Sequence, residues 1–287
     1  MARIISLAAH AKVNLHLGIY EGRDERGYHR ADSIMIAIDL YDRVTVTSSD
    51  EYPLVVTTTP ELDVPERRTL VARSARALAA AFGINTGAQI DVVRNIPDKS
   101  GLGSASTDAA TTIRALCMLW GIDERDPRVV DVARRAGADM AFFLNPVPSL
   151  LDGVGDQLKE TFPPLPGVPI VLVRPAGGVS TPEAYAEFDR EPSAPADPEP
   201  MCAALRAGDV DAVAKNLFNN LEPPACRLEP EERTVVEWLR AQDGVRAAQV
   251  TGSGSCTFGI CESHEAARRV ADEARAHGWW SHATATI

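Results

Sequence analysis

Apolar residues along this chain recur with two different periods, and the changes of period divide it into elements. Residues 4–19 place apolar side chains at nearly every second position, the mark of a β-strand, and the charged turn Gly22-Arg-Asp-Glu-Arg-Gly27 follows. Residues 33–47 carry apolar and β-branched side chains on either side of Asp39-Leu-Tyr-Asp42, and 54–58 form another β-like run. Val71, Ala75, Leu78 and Phe82 are spaced 4, 3 and 4 apart, which predicts an amphipathic helix stopped at Gly83. Residues 90–93 read as a strand, and Ala109, Ile113, Leu116 and Trp120 as one face of a helix. A shorter helix over 128–136 ends at Gly137. The second half starts near 146–149. Its apolar run 168–173 predicts a buried strand, and the proline- and acid-rich stretch 189–200 a solvated loop. Pro230-Glu-Glu opens a helix with proline and acids in its first turn and Val235, Val236 and Leu239 inward. Strands at 247–250 and 256–261 flank a glycine turn. Ser263 caps a last helix bearing Ala266, Ala267, Val270 and Ala274, and a β-like tail follows. Strand-helix-strand-strand-helix-strand suggests a split βαβ half, and the chain has no internal repeats.

Composition narrows the function. A length of 287 residues suits two modest domains, and a net charge of −11 with a pI near 5.1 argues against nucleic-acid and membrane-surface partners. A small phosphate-bearing substrate needs only a local cluster of donors, so that class stays open. Cys117, Cys202, Cys226, Cys256 and Cys261 show no metal-type spacing, which implies reduced thiols in a cytoplasmic protein. The N-terminal apolar run is too short for a secretory signal, and no segment approaches a membrane span.

Candidate chemistry concentrates in Asn95-Ile-Pro-Asp-Lys-Ser-Gly-Leu-Gly-Ser-Ala-Ser-Thr-Asp-Ala-Ala110. Strand, flexible loop and helix in that order present bare N–H groups and a positive helix end to an anion. Gly101 and Gly103 allow close approach of a phosphate, Ser100, Ser104, Ser106 and Thr107 add hydroxyls, and Lys99 adds charge. The loop is neither a Walker loop nor a G-x-G-x-x-G turn; a plain connection before a helix is the competing reading. On the first strand Lys12, Asn14 and His16 share one face, which is either solvated or in need of a polar partner. Asp139 sits alone among apolar residues, as a helix cap, a catalytic base, or both. The small-residue turn in Thr251-Gly-Ser-Gly-Ser-Cys-Thr-Phe-Gly259 is a hairpin or part of a phosphate site. Tyr28-His29 in a loop either stacks on a planar base or decorates the surface.

Together these elements resemble the GHMP kinases, small-molecule ATP kinases. Pro97-x-x-x-Gly-Leu-Gly-Ser-x-Ser-Thr-Asp-Ala-Ala110 is similar to their second motif, Ala11-Lys-Val-Asn-Leu15 to the first, and the 251–259 turn to the third. The order and separations match over nearly the whole chain. Gly27-Tyr-His29, Gly137-Ala-Asp-x-x-Phe-Phe143, Gly178-Val-Ser-Thr-Pro-Glu-Ala-Tyr185 and Asn219-Asn-Leu-Glu222 resemble one branch, whose acceptor carries a diphosphocytidyl group. The resemblance implies an α+β fold of two domains, a ribosomal-S5-like ATP-binding half over 1–148 and a ferredoxin-like half over 149–287. It implies phosphoryl transfer from ATP, with Mg2+, to a tertiary hydroxyl of a small cytidylated substrate, by a monomer or homodimer. Asp139 would accept the hydroxyl proton, and Lys12 would keep that carboxylate ionised and stabilise developing charge. Pro97, Asp98, Lys99, Ser100, Gly101, Leu102, Gly103, Ser104, Ala105, Ser106 and Thr107 would wrap the phosphates, with Ser106 or Thr107 near Mg2+. Asn14 would orient substrate hydroxyls, Tyr28 and Tyr185 would sandwich the cytosine, and His29 would read its edge. Rival readings are a homoserine- or mevalonate-type kinase, or a silent ligand-binding member. Three departures stand out: Ser104, Ala105 and Thr107 where that branch usually has two glycines and a serine; Thr69-Leu70 for an Asn-Leu pair beside the adenine; and Pro148-Ser-Leu-Leu-Asp152 in place of a Gly-Gly before Gly153-Val-Gly-Asp156.

Overall fold

The computed structural model describes residues 2–49 and 54–287. Its strands are β1 (Ile4–Ile19), β2 (Ala31–Ser49), β3 (Val55–Thr59), β4 (Gly87–Val93), β5 (Ser149–Asp152), β6 (Gln157–Thr161), β7 (Pro169–Arg174), β8 (Phe218–Asn219), β9 (Val245–Val250), β10 (Thr257–Cys261) and β11 (Trp280–Ala285). Its α-helices are α1 (Leu70–Phe82), α2 (Ser104–Trp120), α3 (Pro127–Ala136), α4 (Met140–Leu144), α5 (Thr181–Phe188), α6 (Glu199–Ala207), α7 (Val210–Lys215), α8 (Glu222–Leu228), α9 (Pro230–Arg240) and α10 (His264–Ala276).

The chain forms two compact units, and neither is a continuous stretch. The first gathers Met1–Ala11, Leu40–Asp98 and Gly103–Asn145; the second gathers Lys12–Asp39, Lys99–Leu102 and Pro146–Ile287. The main break, between 145 and 146, lies three residues before the expected 148/149 boundary. Sequence reasoning gave no sign that Lys12–Asp39 and Lys99–Leu102 belong with the second unit. Those two segments carry Lys12 and the middle of the glycine loop.

In the first unit β3 runs parallel to β4, and β4 pairs antiparallel with the Arg43–Ser49 end of β2. Val44, Val46, Val56, Ile90 and Val92 point from these strands into the core with Leu78, Ile113, Leu116 and Phe142 from the helices. The helix ends follow local chemistry. Thr69 caps α1 by accepting from the Ala72 N–H at 3.2 Å, and Gly83 closes it at φ 62°. Asp126 caps α3, with Pro127 as its first residue.

In the second unit β7, β9, β10 and β11 form an antiparallel sheet in the order β11-β7-β10-β9. Helices connect its first strand to its second and its third to its fourth, which is the split βαβ arrangement read from the sequence. Val171, Val173, Val235, Leu239, Val270 and Ala274 fill the layer between this sheet and helices α9 and α10. Ile170 and Leu172, on the opposite face of β7, are buried as well, so the strand reads as a continuous apolar run. Elsewhere in this unit β5 pairs with β2 and β6, and β8 runs parallel to β1 at His16 and Leu17. The segment that stands where a Gly-Gly is usual before Gly153, Ser149–Asp152, is a paired strand. The 189–200 stretch is largely exposed, yet Pro195 rests against Gly18, and the Ser193 carbonyl accepts from Asn220 at 3.1 Å.

Candidate active site

The shared face of Lys12, Asn14 and His16 is not a solvated one. All three are buried, at 3%, 3% and 1% exposure, while Val13, Leu15 and Leu17 on the other face are buried too. His16 stacks on Phe218 at 5.3 Å, and burial lowers its pKa to about 4, so it is neutral at physiological pH. Lys12 and Asn14 belong to a polar knot. The Lys12 ammonium donates to Asn14 Oδ1, which also accepts from Thr251 Oγ1 at 3.2 Å. Asn14 Nδ2 donates to Ser33 Oγ at 3.0 Å, and the Asn14 N–H donates to Thr251 Oγ1 at 3.1 Å. The Asn14 side chain, expected to orient substrate, is thus engaged in holding Lys12.

The glycine loop and the 251–255 turn cross backbone to backbone in the same unit. Gly101 has φ 71°, and a Cβ there would lie 2.1 Å from the Thr251 carbonyl oxygen. Facing it, Gly252 has φ 58°; its Cβ would sit 3.2 Å from the Gly101 Cα and 3.4 Å from Lys12 Nζ. Only glycine fits at this crossing. Across it the Ser255 N–H donates to the Lys99 carbonyl at 3.3 Å and Thr251 Oγ1 lies 3.4 Å from the Gly101 carbonyl oxygen; beside it the Lys12 N–H donates to the Leu102 carbonyl at 3.1 Å. Lys99 itself holds φ 50°, the one non-glycine residue with positive φ among those described. Such a backbone costs an L-residue roughly 1–2 kcal/mol, and it falls within the glycine loop. The turn is pinned from below by Asn219 Nδ2, which donates to the carbonyls of Val250 at 2.8 Å and Gly252 at 2.9 Å. The sequence marks Asn219 and Thr251 only as parts of motifs; their roles as fasteners come from the fold.

Beyond the crossing, Gly103 (φ 81°) precedes α2, which starts without a side-chain cap. Its first N–H groups receive no side-chain cap from that position. Ala105 lies in the helix and takes no positive φ, so the Cβ that replaces a glycine hydrogen is accommodated. Thr107 is 1% exposed and donates its hydroxyl to the His10 carbonyl at 2.8 Å, whereas Ser106 is half-buried. Among the described residues no three His, Cys, Asp or Glu side chains are grouped to hold a metal. Also in the first unit, Asp108 is pushed up to about 9, by burial first and by the neighbouring Asp42 carboxylate second, so it stays protonated at neutral pH. A cavity of about 290 Å3 lies between Val56, Thr57, Leu62, Val64, Glu66 and Thr69 at the start of α1.

Asp139 occupies the N-cap position of α4 but makes no capping hydrogen bond with its side chain. The sequence left cap and base open together; the capping bond is not made. In the second unit, His29 is 4% exposed and donates from Nδ1 to the Tyr20 carbonyl at 2.9 Å, since a carbonyl can only accept. Its Nε2 lies 3.0 Å from Asp189 Oδ1, and its ring lies 5.5 Å from that of Tyr185. Tyr28 is 60% exposed, with its ring beside the Arg26 guanidinium. His29 and Tyr185 are brought together, then, and Tyr28 stands out in solvent on the turn that Asp24 organises.

Residues 69–146 match the N-terminal domain of the GHMP kinases, and residues 201–278 their C-terminal domain. The chain belongs to the GHMP kinase family, a family of phosphotransferases that use ATP. Within it, the 4-diphosphocytidyl-2-C-methyl-D-erythritol kinase of Desulfitobacterium hafniense (strain Y51) is 36% identical over 282 residues, 97% of this chain and 95% of that protein. A crystal structure of 4-(cytidine 5'-diphospho)-2C-methyl-D-erythritol kinase aligns at a TM-score of 0.81 and 33% identity, covering 98% of this chain and 99% of that one. Homoserine kinase from Cytophaga hutchinsonii shares the fold, with a TM-score of 0.77 at 20% identity over 99% and 94% of the two chains.

Proposed function

We propose that this enzyme transfers the γ-phosphoryl group of ATP to the tertiary hydroxyl of 4-diphosphocytidyl-2-C-methyl-D-erythritol, in isoprenoid precursor synthesis by the non-mevalonate route. The observation that carries the reading is the tight crossing of Gly101 over Thr251 and Gly252 beside buried Lys12. It unites the three motifs of the family in a chain with full-length likeness to such kinases. Phosphoryl transfer asks for alignment and charge neutralisation more than covalent chemistry, and a rigid loop of N–H groups supplies both.

In this reading Pro97–Thr107 backbone groups and the start of α2 receive the phosphates, and the cavity at Thr69 takes the adenine. Asp139 accepts the hydroxyl proton as the oxygen attacks phosphorus. Lys12, held by Asn14, offers positive charge to the alkoxide and the transferring group. A bound Mg2+ would supply charge neutralisation at the phosphates. The half-buried Ser106 hydroxyl suits it better than that of Thr107, which is only 1% exposed. His29 reads the base edge, Tyr185 stacks on the cytosine, and the exposed Tyr28 closes over it from the Asp24 turn. The five free cysteines are all buried and suit a cytoplasmic enzyme.

The test is ATP turnover by purified protein with 4-diphosphocytidyl-2-C-methyl-D-erythritol, homoserine and mevalonate as separate acceptors. A kcat/KM at least about a hundredfold higher for the cytidylated acceptor is expected, because a built hydrogen-bonding site strongly rejects analogues that leave it unpaired. Comparable or better use of homoserine or mevalonate would contradict the assignment, and no turnover with any acceptor would favour a silent member.

A further inference from the structure

The loop has a fastener that none of its motifs announces. Asp42, near the middle of β2, is fully buried, and a buried carboxylate is tolerable only when its oxygens are supplied with donors. Its Oδ1 accepts from the backbone N–H of Asn95 at 2.5 Å and of Ile96 at 2.8 Å, where the chain leaves β4. Its Oδ2 lies 3.4 Å from the Oγ of Ser104, where the chain enters α2. One carboxylate therefore touches both ends of the segment 95–104. Arg94 reinforces the same point, with Nη2 donating to Ser104 Oγ at 3.3 Å and Nη1 to Asp98 Oδ2 at 3.0 Å. Asp108, one turn into α2, hydrogen-bonds to Asp42 as well. All of these residues belong to the first compact unit. Ser104 is also where the chain departs from the glycine usual in its branch, and its hydroxyl is the group that reaches Asp42 and Arg94.

We propose that Asp42 is a positioning residue of the nucleotide site. It fixes the separation between the two ends of the phosphate loop, so that the N–H groups between them are arranged before ATP arrives. Ser104 extends that hold to the helix end, exchanging the freedom of a glycine for a side-chain tether. The benefit is preorganisation: ordering done on folding is not charged again on binding. The proposal rests on reading this loop as the ATP phosphate site, and the experiment separates the two.

The nucleotide probe is the non-hydrolysable analogue AMPPNP with Mg2+, titrated calorimetrically into the full chain and into Ser104→Gly, Asp42→Asn and Asp42→Ala. Hydrogen exchange of peptides spanning 94–107 is followed in parallel without nucleotide. Loss of hydrogen bonds to a charged group should weaken AMPPNP binding about tenfold in Asp42→Ala and a few-fold in Ser104→Gly. Asp42→Asn keeps one oxygen for Asn95 and Ile96 and should recover part of the loss. Exchange should accelerate within 94–107 and not elsewhere, with the KM for the acceptor unchanged. Should Asp42→Ala fail to fold, Ser104→Gly and Asp42→Asn carry the test. Unchanged AMPPNP affinity in Ser104→Gly and Asp42→Asn, or exchange accelerated evenly over the whole chain, would overturn the proposal while leaving the ATP reading intact. Absence of AMPPNP binding by the unmodified protein would sink the ATP reading and the proposal with it.

Discussion

Asp139 is the residue on which the proposed chemistry turns, and its surroundings give it no competing structural duty as a cap. Asp139→Asn should fold normally and bind AMPPNP with near-normal affinity, yet lose about 10²–10⁴-fold in kcat, the usual cost of removing a general base. Near-normal turnover in a folded Asp139→Asn protein, measured by coupled ADP release, would remove the base assignment. At the acceptor end the prediction is selective. Tyr185→Ala and His29→Ala should each weaken the cytidylated substrate by roughly 1–3 kcal/mol, the value of a base stack or a buried hydrogen bond. AMPPNP affinity should stay put, because the residues assigned to ATP are different ones. Equal losses for both ligands in calorimetry would mean a general defect in place of a lost base contact.

At the scale of elements, the crossing of loop and turn makes a prediction with a built-in control. Gly101→Ala places a Cβ 2.1 Å from a backbone oxygen in a left-handed conformation, so the loop or the turn must move. Gly121→Ala, at φ 68° after α2 but with nothing within 4 Å, meets only the intrinsic backbone cost of about 1–2 kcal/mol. The first variant should lose more stability than the second and most of its AMPPNP binding; the second should bind as before. Equal melting temperatures and equal nucleotide affinities would show that the crossing is slack. Much of this was legible in the sequence because the signals are local. Gly83 ends one helix and Ser263 starts another where their backbone and side-chain chemistry says they must. The glycines of both turns marked the site for the same reason. What the sequence hid depends on distant partners. Alternation along β1 left a solvated face and a partnered one equally open; the face is dry because Thr251 and Ser33 supply the partners of Asn14. Nothing local sets Asp42 apart from other acids on strands; the Asn95 and Ile96 amides converge on it only through the fold. The pairing of Lys12–Asp39 and Lys99–Leu102 with the C-terminal unit is likewise a property of packing, which no local period encodes.

Over the whole molecule, one buried group outside the site ties stability to pH. Glu232 on α9 is fully buried; its Oε1 accepts from Thr257 Oγ1 at 2.7 Å, and its Oε2 is buried without a hydrogen-bond partner. Burial raises its pKa from the usual 4.5 to about 7. An acid whose folded pKa is raised contributes stability below its unfolded pKa and loses it as pH climbs through the folded one. Between about pH 4.5 and 7 the protein should therefore lose at most about 3 kcal/mol from this group. Glu232→Gln should flatten that slope, gaining on the unmodified protein at pH 8 relative to pH 5 in urea unfolding; parallel pH profiles would show that Glu232 ionises as easily in the fold as outside it. The central claim, that a GHMP kinase scaffold here phosphorylates a cytidylated methylerythritol, is met most directly by 31P NMR of the reaction itself. Purified protein with ATP, Mg2+ and 4-diphosphocytidyl-2-C-methyl-D-erythritol should convert ATP to ADP. It should also yield one new phosphomonoester resonance coupled to the tertiary carbon centre, growing about 10²–10⁴-fold more slowly with Asp139→Asn. ATP left intact, or a phosphomonoester on a primary or secondary carbon, would contradict it.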